Sequence, residues 1–386
     1  MTCCATELTR REQARIVARS IRSLIKETPA LLHRYNRAKE TIRAFRRPAF
    51  YEIETRCNLK CEGCYYFEGG DTWQINGNKP INEWQNFFHL EAERGVSMAY
   101  FVGAEPALAQ DRLLAAAQHF PWGNIGTNGT IALNKDIPYR IGVSVWASDD
   151  KTDIQLRGAS VFRKALKNYE GDQRAIMLLT VSKDTIGQVP EVARMCSDHG
   201  VELTYNLYSP THSFLKKLAI GQQHDDRFFR FSDQNHSPIF TDYDLAKTRE
   251  TLAATIEDYP DTVVYCHEYN DYMCQPGSRY TLDENGIALD CQSRIVNPMR
   301  YYTTDLTSRS VKCCTPDIDC SQCRMYSGGW SSRFIPTPQD VTNREAFIAW
   351  INIIDTLGRI FLYPRPFWLS PDSSQNSQTK REQVSA

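Results

Sequence analysis

The chain has no uncharged apolar run of 18 residues, which argues against a membrane-spanning helix. Its opening residues, MTCCATELTRREQ, lack the apolar core of a signal peptide, so a cytoplasmic location is expected. It also lacks a charge excess: 45 Lys and Arg stand against 46 Asp and Glu, a net charge of -1. Proteins that coat nucleic acid usually carry a strong basic surplus, so no nucleic-acid partner is expected. Internal repeats are missing too. What is present is ample apolar sequence, 41% of 386 residues, enough for one large core or two smaller ones. That excludes a disordered or collagen-like chain. Thirteen cysteines are also present. In a cytoplasmic chain they point to metal or redox chemistry before disulfides.

The hydrophobic pattern divides the chain. Residues 7–47 read as helices broken at Pro29, with Ile16, Val17, Ile21, Leu24 and Ile25 on one face and Leu31, Leu32, Tyr35, Ala38 and Ile42 on the next. This stretch has 12 basic and 4 acidic residues. It is either a solvated helix pair packed on the main domain or an arm that touches an anionic membrane face. From residue 49 short apolar strands alternate with helices. Strands are expected at 49–55, 98–103, 122–127, 140–146, 175–181 and 201–208. Helices are expected near 82–94, 107–119, 159–169 and 187–199. Such alternation predicts an α/β fold with a parallel sheet, as a barrel or doubly wound. Residues 209–241 break the rhythm and read as a loop or insertion. Residues 242–258 are helical again, 262–334 hold seven cysteines, 344–363 form an apolar closing helix, and 371–386 read as a polar tail.

The strongest motif is Cys57-Asn-Leu-Lys-Cys61-Glu-Gly-Cys64, directly after the first strand. Three thiolates can hold three irons of a [4Fe–4S] cluster, whose usual complement is four. The missing fourth ligand leaves one iron open to a small molecule. A structural zinc would want a fourth Cys or His nearby, and none follows at short spacing.

Downstream motifs fall in a set order. Gly103-Ala104-Glu105-Pro106 ends the second strand, Thr127-Asn128-Gly129 the third, Ser144 lies on the fourth, and Leu156-Arg157-Gly158 precedes a helix. Together with the cysteine loop, they resemble the radical S-adenosylmethionine (SAM) superfamily over about residues 49–210. The resemblance implies a partial (β/α)6 barrel at about 49–260. It implies that SAM chelates the open iron and is cleaved to a 5′-deoxyadenosyl radical that abstracts a substrate hydrogen. Gly103, Ala104 and Glu105 would then hold the methionyl ammonium, and Arg157 the carboxylate as a bidentate fork. Ser144 and Asn128 would bond the ribose or its neighbours, Tyr65 would cover the adenine, and Tyr208 would complete the cofactor contacts. Arg157 could instead cap a helix or pair with Asp153, and Ser144 could simply pack in the barrel. Two departures stand out: Gly63 replaces the usual aromatic before the third cysteine, and Ala104 the second glycine of GGEP. Alanine is tolerated there only if φ stays negative.

A second cysteine group comprises Cys274, Cys291, Cys320 and Cys323. Residues 280–289 read as a hairpin turning at Asp283–Gly286, which would draw Cys274 and Cys291 together. This resembles the SPASM/twitch auxiliary domain, here 261–334. The resemblance implies one auxiliary [4Fe–4S] cluster; a zinc ribbon is the alternative. Cys266, Cys313 and Cys314 fit a further cluster poorly, although Cys314 could replace Cys320. Cys3, Cys4 and Cys196 look incidental.

The substrate stays open: a small molecule for oxidation or radical coupling, a peptide, or a lipid or isoprenoid at the membrane. Helices in place of a winged-helix leader-binding segment at 1–48 lower the peptide reading. An electron donor such as flavodoxin or ferredoxin is expected. Tyr100, Asn206, Tyr208 and His212 are candidate substrate contacts, and no catalytic acid or base stands out. A non-catalytic Fe–S or zinc protein is the non-enzyme alternative.

Overall fold

The computed structural model describes residues 10–68, 79–221, 231–233, 235–295, 300–309, 313 and 317–364. Cys3, Cys4, Cys314 and the 371–386 tail lie outside them.

Two helices come first, α1 (Arg10–Glu27) and α2 (Leu31–Ala44), divided at Pro29 as the pattern predicts. The alternating region follows: β1 (Pro48–Glu52), α3 (Tyr65–Glu68), α4 (Ile81–Glu93), β2 (Met98–Val102), α5 (Gln110–Ala117), β3 (Gly123–Thr127) and β4 (Arg140–Val145). Next are α6 (Asp150–Arg157), α7 (Phe162–Tyr169), β5 (Ala175–Val181), α8 (Val189–Asp198) and β6 (Glu202–Leu207). The chain continues through α9 (His212–Ile220), α10 (Asp242–Asp258), α11 (His267–Met273), α12 (Gln292–Ile295), β7 (Arg300–Tyr302), β8 (Ser308–Arg309), α13 (Tyr326–Ser331) and α14 (Arg344–Phe361).

The eight strands among the described residues form one sheet, in the order β6-β5-β4-β3-β2-β1-β7-β8. Strands β1 to β6 pair in parallel with their sequence neighbours. They therefore form the six-stranded arc of a partial (β/α)6 barrel, with no pairing between β1 and β6. Side chains alternate across each strand. Tyr51, Phe101, Ile125, Val143 and Leu179 enter the core under the helices, alongside Trp84 and Phe88 of α4. The opposite pleats carry Phe50, Val102, Gly126, Ser144, Thr180 and Asn206, which face the interior of the arc.

Three features depart from the sequence pattern. Residues 150–157 form α6, whose polar composition hides it; Asp149 caps it by accepting from the Thr152 N–H, and Gly158 ends it at φ 76°. The 209–241 insertion contains α9, capped by Thr211. The cysteine-rich region is not separate from the barrel, because β7 adds to the sheet beside β1 in parallel.

The arc is closed from below by α14, which packs on α2. Arg34 donates to Asp355 at 2.7 Å and to Asn352 at 2.8 Å, and Tyr35 meets the rings of Phe347 and Trp350. The basic N-terminal helices are thus packed on the main body through α2. No described helix is long and apolar enough to cross a membrane.

Candidate active site

A cavity of about 280 Å³ opens at the carboxyl ends of β1 to β6. Parallel strands leave such a crevice because each chain turns there from strand to helix. Cys57, Cys61 and Cys64 line one wall, and the ends of β2, β3 and β4 line the other with Gly103, Ala104, Glu105, Asn128, Ser144 and Arg157. Tyr65, Asn206 and Tyr208 complete it, with Met325, Tyr326 and Ser327 from the cysteine-rich region.

The cysteine loop is irregular, so its backbone needs partners elsewhere. The Lys60 and Glu62 N–H groups donate to the Arg157 and Leu156 carbonyls at 3.3 and 2.7 Å. These carbonyls lie in the last turn of α6, which has no helical donors left for them. The Glu62 carboxylate, 3% exposed, accepts the N–H groups of Phe231 and Ser232 at 2.9 and 2.8 Å. That ties the insertion to the loop. Burial pushes the Cys64 thiol up to about 12, with the nearby Cys61 and Cys57 adding to it. Burial raises the Cys57 thiol as well, so both favour the protonated form until a metal replaces the proton. Among the described residues, no three His, Cys, Asp or Glu converge on one point. A cluster makes a different demand, since each thiolate takes a different iron.

The two departures from the family pattern have local explanations. Gly63 has φ +59°, and a Cβ there would stand 2.9 Å from the Tyr208 hydroxyl and 3.6 Å from the Phe214 ring. The aromatic cover comes from β6 and α9 instead. At Gly103 φ is +124°, and a Cβ would collide with the Glu54 carbonyl at 2.3 Å. Ala104 has no such φ, and its N–H donates to that carbonyl at 2.9 Å. Only the first glycine of the pair needs to be one.

Arg157 is 1% exposed, and its Nη1 donates to the Ser144 carbonyl at 2.7 Å. Its buried Nε has no partner. The Asp153 carboxylate accepts from the Val161 and Phe162 N–H groups at 2.6 and 3.0 Å and does not form an ion pair with Arg157. Glu105 and Asn128 are engaged by the protein. The Glu105 carboxylate accepts from the Thr127 hydroxyl at 2.6 Å, the Asn128 N–H at 2.7 Å and the Ala107 N–H at 2.9 Å. Asn128 Nδ2 donates to Asn58 at 2.8 Å and lies 3.8 Å from the Cys57 sulfur; its Oδ1 accepts from Thr130. Both side chains line the cavity and also brace the cysteine loop and the β3 turn. Tyr100 and His212 do not line this cavity.

The second cysteine group is assembled differently. Cys291, Cys320 and Cys323 share a buried cluster with Tyr280 and Ala288, and Cys313 packs against it. The expected hairpin is present: Leu282 pairs with Ala288, the Leu289 N–H donates to Thr281, and Gly286 turns at φ +71°. It does not bring Cys274 into this cluster. Cys274 sits in the principal core, where its thiol meets Asn270 Oδ1 at 3.5 Å. Cys196 is core, and Cys266 is packed against it.

Glu52 escaped the sequence reading. It is fully buried on the inward pleat of β1, and neither oxygen completes a hydrogen bond. Burial raises its carboxyl to about 7, while Tyr301, Tyr66 and Arg309 pull it down and Asp305 pushes it up.

No family model matches the chain, and no curated protein matches it. Solved structures do. Streptococcus suis SuiB bound to S-adenosylmethionine is similar at 15% identity and TM-score 0.48, over 68% of this chain and 59% of that one. SuiB bound to precursor peptide SuiA is similar at 14% identity and TM-score 0.47, over 68% of this chain and 58% of that one. HydG, a maturase of the [FeFe]-hydrogenase, is similar at 9% identity and TM-score 0.25, over 99% and 95%. The chain spans about 59% of the SuiB length. The strand order gives the chain the arc of a partial (β/α)6 barrel, with the cysteine loop after β1 and the motifs at the ends of β2, β3 and β4 gathered on one cavity.

Proposed function

We propose that the chain is a radical SAM enzyme. The observation that carries this reading is the convergence of Cys57, Cys61 and Cys64 with the ends of β2 to β4 and Arg157 on one cavity. The three thiols suit three irons of a [4Fe–4S] cluster, and SAM on the fourth iron would supply a 5′-deoxyadenosyl radical when bound. Each part of the chain has a stated task. The Leu59 N–H, 3.4 Å from the Cys57 sulfur, and Asn128 Nδ2 favour the charged thiolate. Arg157 is held by Ser144 at one nitrogen and offers its unpartnered Nε toward a carboxylate. Glu105 fixes the β3 turn, Tyr65 stands at the wall for the adenine, and Tyr208 covers Gly63.

For the second group, the reading is one auxiliary iron–sulfur cluster on Cys291, Cys320, Cys323 and Cys313. Met325 both packs against this group and lines the cavity, so a centre there would stand beside the substrate. A zinc site is the competing occupant. SuiB has been seen with a precursor peptide, so a peptide is the substrate class to screen first. A small molecule comes next.

The test is an iron and sulfide count with EPR on anaerobically reconstituted protein, beside a Cys57/Cys61/Cys64→Ala variant. Roughly eight irons falling to about four, with 5′-deoxyadenosine release abolished, is the expected outcome. Roughly four falling to none with zinc bound would make the second group structural. No SAM cleavage by reduced wild-type protein would sink the enzyme reading.

A further inference from the structure

The far strands of the arc alternate in exposure. On β5 and β6, Leu179, Val181, Tyr205 and Leu207 are buried, whereas Thr180 and Asn206 between them are only half-buried. Both line the cavity, so their exposure is to it. They are register partners across the two strands, with backbones about 4.8 Å apart at the usual strand spacing. In the sheet order they lie at the end away from β1 and its cysteine loop.

Asn206 is held in one orientation. Its Oδ1 accepts the Tyr326 N–H at 3.3 Å. That N–H opens α13 and has no carbonyl within the helix to bind. A backbone N–H can only donate, so the oxygen of the Asn206 amide must face it and Nδ2 must face away. Three residues on, Ser209 Oγ accepts the Arg324 N–H at 2.7 Å, which ties the same stretch to the end of β6 a second time. Among the described residues, Asn206 Nδ2 and the Thr180 hydroxyl make no hydrogen bond. A fixed donor therefore stands beside an oxygen that can accept.

We propose that Thr180 and Asn206 read the main chain of a peptide substrate: Asn206 Nδ2 donates to a backbone carbonyl, and the Thr180 oxygen accepts the N–H of the same residue. An extended residue turns its own N–H and C=O to one side, which suits a donor and an acceptor on adjacent strands. An ionic group suits the place less. Among the described lining residues only Glu105 and Arg157 are charged; the first is engaged by Thr127, Asn128 and Ala107, and the second is the fork for SAM. A carboxylate or ammonium at β5 and β6 would lose its water without a counter-ion. This assignment rests on the peptide reading of the substrate and deepens it.

The probe is N-acetylalanine N-methylamide, a single residue with both groups. Its partner is O-acetyl-lactic acid N-methylamide, in which an ester oxygen replaces the N–H. Binding is read by ligand-observed NMR on anaerobic, unreduced holoenzyme, with and without SAM. The amide should bind saturably and more tightly than the ester. Asn206→Asp still accepts the Tyr326 N–H but offers no donor, and should weaken amide binding by about tenfold or more. Thr180→Val should weaken the amide by about threefold and leave the ester unchanged. A merely structural role would move both ligands together. The variants lie on different strands, so one serves if the other fails to fold. No saturable amide binding, an ester bound as tightly as the amide, or binding that neither variant moves would overturn the proposal. So would a loss of SAM affinity in Asn206→Asp equal to its loss of amide affinity, since the residue would then serve SAM. Release of 5′-deoxyadenosine by reduced wild type is measured separately. Its absence would sink the radical reading and leave the amide result standing.

Discussion

The two cysteine groups differ in how their geometry is specified. Cys57, Cys61 and Cys64 lie within eight residues on one loop, and the loop is pinned by α6 carbonyls, by Asn128 and by Glu62. Cys320 and Cys323 share one turn, and Cys291 and Cys313 join them from elsewhere in the chain only when the region packs. The close approach is made by α13. A Cβ at Gly328 would stand 2.6 Å from the Tyr280 hydroxyl and 3.4 Å from the Cys291 sulfur. One at Gly329 would stand 2.4 Å from the Tyr269 hydroxyl and 2.6 Å from Met273 Sδ. A local motif carries its own spacing; a dispersed one depends on a glycine pair two turns of chain away. This is why spacing alone read the first group, whereas the second needed a hairpin to relate its cysteines.

The largest effect should come from separating the two groups. Cys57/Cys61/Cys64→Ala should lose about four irons and all SAM cleavage while the second group keeps its metal. Equal loss from both groups in an iron assay would break the comparison. Next, Cys313→Ala should empty the second group, whereas Cys274→Ala should keep the metal and cost only packing, about 1–2 kcal/mol by urea unfolding. The reverse result would restore the hairpin pairing.

Glu52 sits where the two regions meet, on β1 against Tyr301 of β7 and Arg309 of β8. Its folded pKa of about 7 lies above the unfolded carboxylate range, so its contribution is full below about pH 4 and is lost as pH rises through 7. Glu52→Gln should therefore be more stable than wild type at pH 8.5, by up to about 3 kcal/mol, with the gap closing toward pH 4.5. Parallel stability curves in urea would contradict this. Arg157→Lys removes the fork and keeps the charge. SAM affinity should fall by about tenfold or more in equilibrium binding, with iron content unchanged. The smallest effect expected is Gly328→Ala, at about 1–3 kcal/mol, with metal lost from the second group alone.

Much of the barrel was legible because its strands are short, largely apolar runs that alternate with helical segments. The expected segment 175–181 is β5 to the residue, and the other five strands match within three residues. The polar α6 was missed because its signal is a cap and a terminal glycine, not an apolar face. β7 is three residues long, too short for periodicity, and is strand only because β1 offers an edge. At the site, the cysteine loop and Arg157 were visible as motifs. The tasks of Glu105 and Asn128 were not, since a side chain's hydrogen bonds are set by which turns meet. Glu52 looked like an ordinary strand residue until the tyrosines enclosed it.

The clasp between α2 and α14 has a consequence for how the protein is made. Arg34 and Asp355 are 321 residues apart, and the apolar face of α2 has no cover until α14 exists. At about 5–20 residues per second, synthesis of that interval takes roughly 15 to 65 seconds. Throughout that time Leu31, Tyr35 and Ala38 emerge ahead of their partners, and long-range closure of this kind is slow. The nascent helix pair is therefore a natural client for a ribosome-bound chaperone, and a ribosome stalled before α14 should leave it open to protease.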